Sequence, residues 1–218
     1  SAAVIDYEGI LLGRITIDDV VDVIREEGDK SVLNMAGLNK DDDIFAPIVQ
    51  STKRRALWLG ANLLTALLAA ASIGIFEATI EKVVALAILM PIVASMGGIA
   101  GSQSLALVIR AQALDQIGAT NSKFLVLKES AIGLLNGILW SSVVAFLTYI
   151  WFDRIDLGLV IAAALMINLI IGAISGVSLP IILTKFKIDP ALAGGVILTT
   201  ITDVVGFISL LGIATIFI

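Results

Sequence analysis

Asp203 is the one ionisable side chain between Pro190 and Ile218, "PALAGGVILTTITDVVGFISLLGIATIFI", 13 residues from one end and 15 from the other. An apolar run of that length spans a bilayer, whose hydrocarbon core of ~30 Å needs ~20 residues at ~1.5 Å each. A carboxylate near the bilayer centre costs at least ~2.5–3.5 kcal/mol on insertion scales. Two chemistries relieve that cost. Either the group is protonated and hydrogen-bonded to Ser, Thr or Asn neighbours, or it faces water and a cation. Intramembrane carboxylates as a class favour the second. Thr199, one turn back, adds a hydroxyl and a backbone carbonyl on the same helical face. Gly195 and Gly206 lie roughly on that face too, where they allow another helix to approach.

A second anomaly is "PIVASMGGIAGSQS" at 91–104, where glycines, serines, a glutamine and a proline interrupt an apolar run. Gly97 and Gly98 each lower helix propensity by ~1 kcal/mol relative to Ala. A partly unwound segment is expected there, with carbonyl oxygens turned toward a hard cation or its water shell. The plainer reading is a packing face, because Gly97 and Gly101 are spaced as GxxxG. Glu77 and Glu81 fall in a short connection and are possible ion-entry charges; the plainer reading is ordinary loop acids. Asn136, Gly137, Asn168, Gly176 and Pro180 read as packing, kink or interhelical hydrogen-bond positions rather than ligands.

The elements that position these residues follow from composition. The 218 residues are 58% hydrophobic, and the mean hydropathy is +1.03, which excludes an ordinary soluble domain. Five apolar runs predict five transmembrane helices, at about 56–76, 83–109, 130–152, 157–184 and 190–218. The chain has no cysteine and no histidine, which removes thiolate, imidazole–metal and Ser–His chemistry. Oxygen ligands remain, and they suit hard cations. An intramembrane aspartyl hydrolase needs two carboxylates in one site, and the runs of each chain hold one. A dimer could supply the pair, but the sequence carries no recognisable protease motif, so we expect no enzyme.

Charge is divided unevenly. Residues 1–52 hold eleven acids against four bases, a net of −7 within a total of −5. Such a balance does not suggest nucleic acid; it suits solvation or cation binding. Eight bases (Lys53, Arg54, Arg55, Arg110, Lys123, Lys128, Lys185 and Lys187) fall on one side of the five runs, and only Lys82 and Arg154 on the other. The positive-inside rule then places the N-terminus in the cytoplasm and the C-terminus outside, in a multi-pass plasma (inner) membrane protein bathed by lipid.

The N-terminal piece reads as strands at 2–6 and 10–17, then a helix capped near Thr16 or Asp18 and ended by Gly28. "DYEGILLGRITIDDVVDVI" resembles the second half of a CBS module, a regulatory α/β unit, assigned to residues 1–30. The first half of that module is absent here, and the chain opens at Ser1 mid-domain, so we expect a piece of a longer protein. Residues 31–55, "SVLNMAGLNKDDDIFAPIVQSTKRR", read as an amphipathic connecting helix, in one or two pieces, near the membrane surface.

Four stretches, "PIVASMGGIAGSQSLALVIRAQAL", "KESAIGLLNGI", "SGVSLPIILTKFKIDPALAGG" and "TTITDVVGF", occur in order after the CBS fragment. Together they resemble the membrane domain of the MgtE family of Mg²⁺ transporters. The resemblance implies an all-α membrane protein with five transmembrane helices per subunit, assembled as a homodimer. It implies a pore on the two-fold axis, lined mainly by the second and fifth helices. The family's pore carboxylate falls on Asp203, with the Thr199 carbonyl beside it as a metal contact. Gly97, Gly98, Gly101, Ser95 and Gly195 fall at lining positions. The connecting segment 31–55, with Asp41, Asp42 and Asp43, falls where the family places a gate, which makes these acids candidate regulatory sites for cytosolic Mg²⁺. Mg²⁺ would then be both cargo and regulator. One departure is Ile99, where the family often has Asn after the paired glycines, and it bears on selectivity. The competing reading is a proton-coupled carrier, or a carrier of Mn²⁺ or Co²⁺, using Asp203.

Overall fold

The structure is a computed structural model that describes residues 1–38, 44–118 and 121–218. The chain divides into two units, Ser1–Arg55 and Ala56–Ile218.

In the first unit, β1 (Ala2–Ile5) pairs antiparallel with β2 (Leu11–Ile15), placing Ala3 opposite Arg14 and Val4 opposite Gly13. The turn is held by Asp6, whose carboxylate accepts from the Glu8 and Ile10 amides at 2.9 and 2.8 Å. Gly9 takes the positive φ of 84° that the turn needs. Helix α1 (Ile17–Met35) starts where Thr16 donates its amide and hydroxyl to the Asp19 carboxylate at 2.7 and 2.8 Å. Those two bonds hold the Asp19 carboxyl below its usual range. The helix does not end at Gly28 but continues to Met35. One glycine costs ~1 kcal/mol, which a two-turn extension absorbs. Strand, turn, strand and helix form a short α/β fragment, as expected. Its apolar side chains, Ile5, Leu11, Leu12, Val21, Val23 and Ile24 among them, are exposed in the chain alone.

The second unit is helical. Among the described residues five helices are long and apolar enough to cross a membrane: α2 (Ile48–Gly74), α4 (Ala85–Ala113), α5 (Ser122–Phe152), α6 (Ile155–Lys185) and α7 (Pro190–Phe217). A short helix, α3 (Glu77–Lys82), links α2 to α4. Helix α5 starts eight residues earlier than the apolar run suggests, because "KFLVLKE" continues the helix through two lysines and a glutamate. Helix α7 starts on a strong local signal. Asp189 accepts from the Ala191 amide at 2.9 Å, and Pro190 supplies the fixed φ of a first helical residue. Replacing Asp189 with alanine is expected to lower stability by about 1 kcal/mol, read as an earlier thermal unfolding midpoint with unchanged helix content.

Helix α6 is the hub, packing against α4, α5 and α7. One apolar cluster joins Leu86, Leu89 and Val93 of α4 to Leu157, Ile161 and Ala164 of α6 and Leu210, Leu211 and Ala214 of α7. A second joins Leu105 and Ile109 to Ala191 and Leu198. The order of contacts makes α4 and α6 run the same way, with α7 opposed. The ends of α4 and α6 and the starts of α5 and α7 therefore share one end of the bundle. Between the two clusters lies a layer of small and polar residues: Gly97, Gly101, Asn168, Gly172, Thr202 and Gly206. Helix α2 buries only Ala69 and Ser72 in the chain by itself.

Candidate functional site

Asp203 is placed by the stripe that α7 buries. Ala191, Gly194, Leu198, Thr202, Gly206, Leu210 and Ala214 repeat at three- and four-residue steps. Asp203 follows Thr202 by one residue, about 100° around the helix. It therefore sits at the border of the packed face and is half-buried. Among the described residues its carboxylate has no hydrogen-bond or ion-pair partner. The neighbouring threonines are occupied elsewhere. Thr199 donates its hydroxyl to the Gly195 carbonyl at 3.0 Å, and Thr202 donates to the Leu198 and Thr199 carbonyls at 3.2 and 3.1 Å. The hydroxyls of this helix thus satisfy its own backbone rather than the acid.

Gly195, Thr199 and Asp203 are spaced by four and share a face. Thr199 is exposed, and a Cβ at Gly195 would meet nothing within 4 Å. Gly206 does not share this face as the sequence suggested. It lies in the packed stripe, where a Cβ would come within 2.8 Å of Asn168 Nδ2.

The glycine-rich stretch is not unwound. α4 is continuous from Ala85 to Ala113, through Pro91 and all three glycines. The reason is packing. A Cβ at Gly97 would fall 2.2 Å from Asn168 Nδ2, and one at Gly101 would fall 2.7 Å from Leu198 Cδ1 and 2.9 Å from the Gly172 carbonyl. Gly97 and Gly101 let α6 and α7 close on α4, and the gain in contact outweighs their poor propensity. Gly98 is half-buried, with Thr202 Oγ1 3.7 Å from where its Cβ would be. Ser95, Ile99, Ser102 and Gln103 are exposed on the outer face of α4.

Asn168 is fully buried and donates to the Val93 carbonyl at 2.7 Å, the interhelical role expected of it. Its Oδ1 is buried without a hydrogen bond among the described residues. Glu77 and Glu81, one turn apart on α3, line a pocket of about 570 Å³ with Ala70, Ile73, Gly74, Ile80 and Val84. Asp41, Asp42 and Asp43 lie outside the described residues.

Glu129 falls just outside the apolar run at 130–152, but α5 carries it two turns into the helix. There it is 6% exposed, and its carboxylate accepts from Ser104 Oγ at 2.8 Å. The apolar residues "FLVL" just before it were the available signal.

A family model for divalent cation transporters, MgtE, matches residues 90–213. That range contains α7 through Ile213 and nearly all of α4, the two helices that carry the polar face. The magnesium transporter MgtE of Bacillus subtilis is 36% identical over 215 residues, 99% of this chain and 48% of that protein. Those of Enterococcus faecalis and Thermus thermophilus are 29% and 30% identical over 98% and 97% of this chain, and 47% of each of those proteins. The chain spans about half the length of these curated relatives. With five apolar helices and a family model that matches more than half its length, the chain is a multi-pass membrane protein and belongs to the MgtE family of divalent cation transporters.

Proposed function

We propose that the chain forms the Mg²⁺ pathway of a homodimeric channel or transporter, with Asp203 holding the hydrated ion. One observation carries this reading: a polar face that looks outward from the protomer at membrane depth. Thr199 and half-buried Asp203 on α7, with Ser95, Ser102 and Gln103 on α4, cannot face lipid tails cheaply. A second copy of the chain, enclosing water between the two, covers them. Mg²⁺ dehydrates reluctantly and is usually bound through one or two carboxylates and retained waters. One Asp203 from each subunit supplies that number. Among the described residues of one chain no three acids gather into a metal site, which suits a site completed by the partner.

Thr199 contributes an oxygen beside Asp203: its hydroxyl donates to Gly195 and keeps its lone pairs, while its carbonyl also accepts from Thr202. Gly195 leaves space on the same face for a water shell. Gly98 and Ser95 line the α4 side. Gly97 and Gly101 set the separation of α4 from α6 and α7. Glu77 and Glu81 gather cations at the far mouth. The bases at the ends of α4 and α6 and the start of α5 mark the cytoplasmic side, so the N-terminus is cytoplasmic and the C-terminus outside. The test is a structure of the dimer with Mg²⁺. Density on the two-fold axis beside both Asp203 side chains, with waters at ~2.1 Å from the metal, is expected. A dimer whose axis lies away from Asp203 sinks the reading.

Regulation rests on the acidic run Asp41–Asp43 in the connecting segment. Cytosolic Mg²⁺ screens these acids against their neighbours and favours closure. In the full-length protein, replacing all three with asparagine is expected to shift the Mg²⁺ concentration for closure, read from single-channel or flux recordings. An unchanged concentration makes the run an ordinary solvated face.

A further inference from the structure

At the basic end of the bundle, a pocket of about 330 Å³ lies between the last turns of α4 and the first turns of α5. Arg110 and Lys128 line it, Glu129 is buried within it, and Leu107, Leu114 and Leu125 contribute apolar wall. We infer that this pocket holds the phosphodiester headgroup of an anionic glycerophospholipid from the leaflet on that side.

Four features carry the inference. Neither Arg110 nor Lys128 makes an ion pair among the described residues, so two exposed cations flank the pocket, and Glu129 is the one carboxylate that lines it. Two positive charges against one carboxylate leave the pocket positive whatever the state of Glu129. Glu129 lies deeper than the cations and is fixed by the 2.8 Å bond from Ser104. It therefore keeps a phosphate at the mouth, beside Arg110 and Lys128, and offers an acceptor to a headgroup hydroxyl farther in. Finally, Leu107 and Leu114 are 60% and 57% exposed, so the polar mouth continues into apolar surface where acyl chains lie. A soluble phosphate has no use for that surface. Basic pockets at the ends of membrane helices have this general affinity for anionic headgroups. The pocket shares no lining residue with the Asp203 face and does not depend on what that face conducts.

The test uses the chain in detergent, stripped of lipid and titrated with short-chain phosphatidylglycerol. Bound lipid is counted by native mass spectrometry, and stabilisation is read as a thermal shift. We expect phosphatidylglycerol to bind more tightly than phosphatidylcholine of equal chain length, and glycerol phosphate to give no shift. The double variant Arg110→Gln/Lys128→Gln is expected to bind roughly 30-fold more weakly, the equivalent of about 1 kcal/mol for each basic residue removed near an anionic headgroup. Lys187→Gln, outside the pocket, is expected to bind as the unmodified chain does. Because the double variant could lose fold, Arg110→Lys/Lys128→Arg serves beside it and is expected to retain binding. Equal binding by the Gln variant, equal binding of phosphatidylcholine, or an equal shift from glycerol phosphate each overturns the assignment.

Discussion

Replacing Asp203 with asparagine is expected to reduce Mg²⁺ flux in proteoliposomes by about 100-fold or more. The substitution keeps the side chain's volume and removes its charge. A divalent ion held across one water layer sits about 5 Å from each carboxylate. Even at the dielectric constant of water the attraction is then about 1.7 kcal/mol per carboxylate, or about 3.3 kcal/mol for the two of a dimer. Loss of that energy lowers ion occupancy by a factor of more than about 200. Fold should survive, because the Asp203 carboxylate has no partner among the described residues to leave behind, and a neutral amide is less costly in the bilayer than a charge. Gel filtration and thermal unfolding check that point separately. Asp203→Glu retains the charge on a longer stem and is expected to conserve a measurable fraction of the flux. If Asp203→Asn conducts Mg²⁺ as well as the unmodified chain, the carboxylate does not hold the ion. If flux instead follows a proton gradient and ignores divalent ions, the carrier reading replaces this one.

Asp203 was legible because a charge in an apolar run stands out at any alignment. The five spans were legible for the same reason, since bilayer thickness sets one length scale and composition reports it. What failed to show was the state of the backbone around the glycines. Propensity argues for unwinding at Gly97 and Gly98, but propensity is a local term. The opposing term is contact with Asn168 and Leu198, which stand about 70 and 100 positions away in the chain. Sequence shows that a face is small; it does not show what fills the space. Gly206 is the same lesson on a finer scale, because an error of roughly 60° in helical phase moves a residue from the open face to the packed one. Glu129 was hidden because it stands beside Lys128 and near Lys123, charges that read as a polar connection. Helix α5 buries this acid because Ser104 is there to meet it, which is again a fact about another helix.

Substituting Gly176 with alanine is expected to be the most destabilising single-methyl change in the membrane unit. A Cβ at this position would lie 2.3 Å from the Gly101 carbonyl oxygen and 2.9 Å from Ser104 Cβ. The nearer obstacle is backbone, so no side-chain rotation relieves it. Its neighbour one turn earlier repeats the arrangement, since a Cβ at Gly172 would lie 2.5 Å from the Gly97 carbonyl. The α4–α6 crossing is therefore a backbone-to-backbone contact, and a methyl group must push the helices apart. Overpacking of this kind costs about 1–3 kcal/mol and occasionally more. At about 2–4 °C per kcal/mol for a chain of this size, the unfolding midpoint in detergent is expected to fall by roughly 2–12 °C. Gly195→Ala is the matched control. It adds the same methyl group into open space and gains up to ~1 kcal/mol of helix propensity, so its midpoint should hold or rise. The separation of the helices has a functional cost as well. Ser104 meets Glu129 and Val93 meets Asn168 across short hydrogen bonds that span α4 and its neighbours, so a spread crossing loosens both. Gly176→Ala is accordingly expected to lower flux through a site it does not touch. If its midpoint matches that of Gly195→Ala, the two helices have slack that this close crossing denies, and the glycines of α4 are then free to serve the ion pathway rather than the packing.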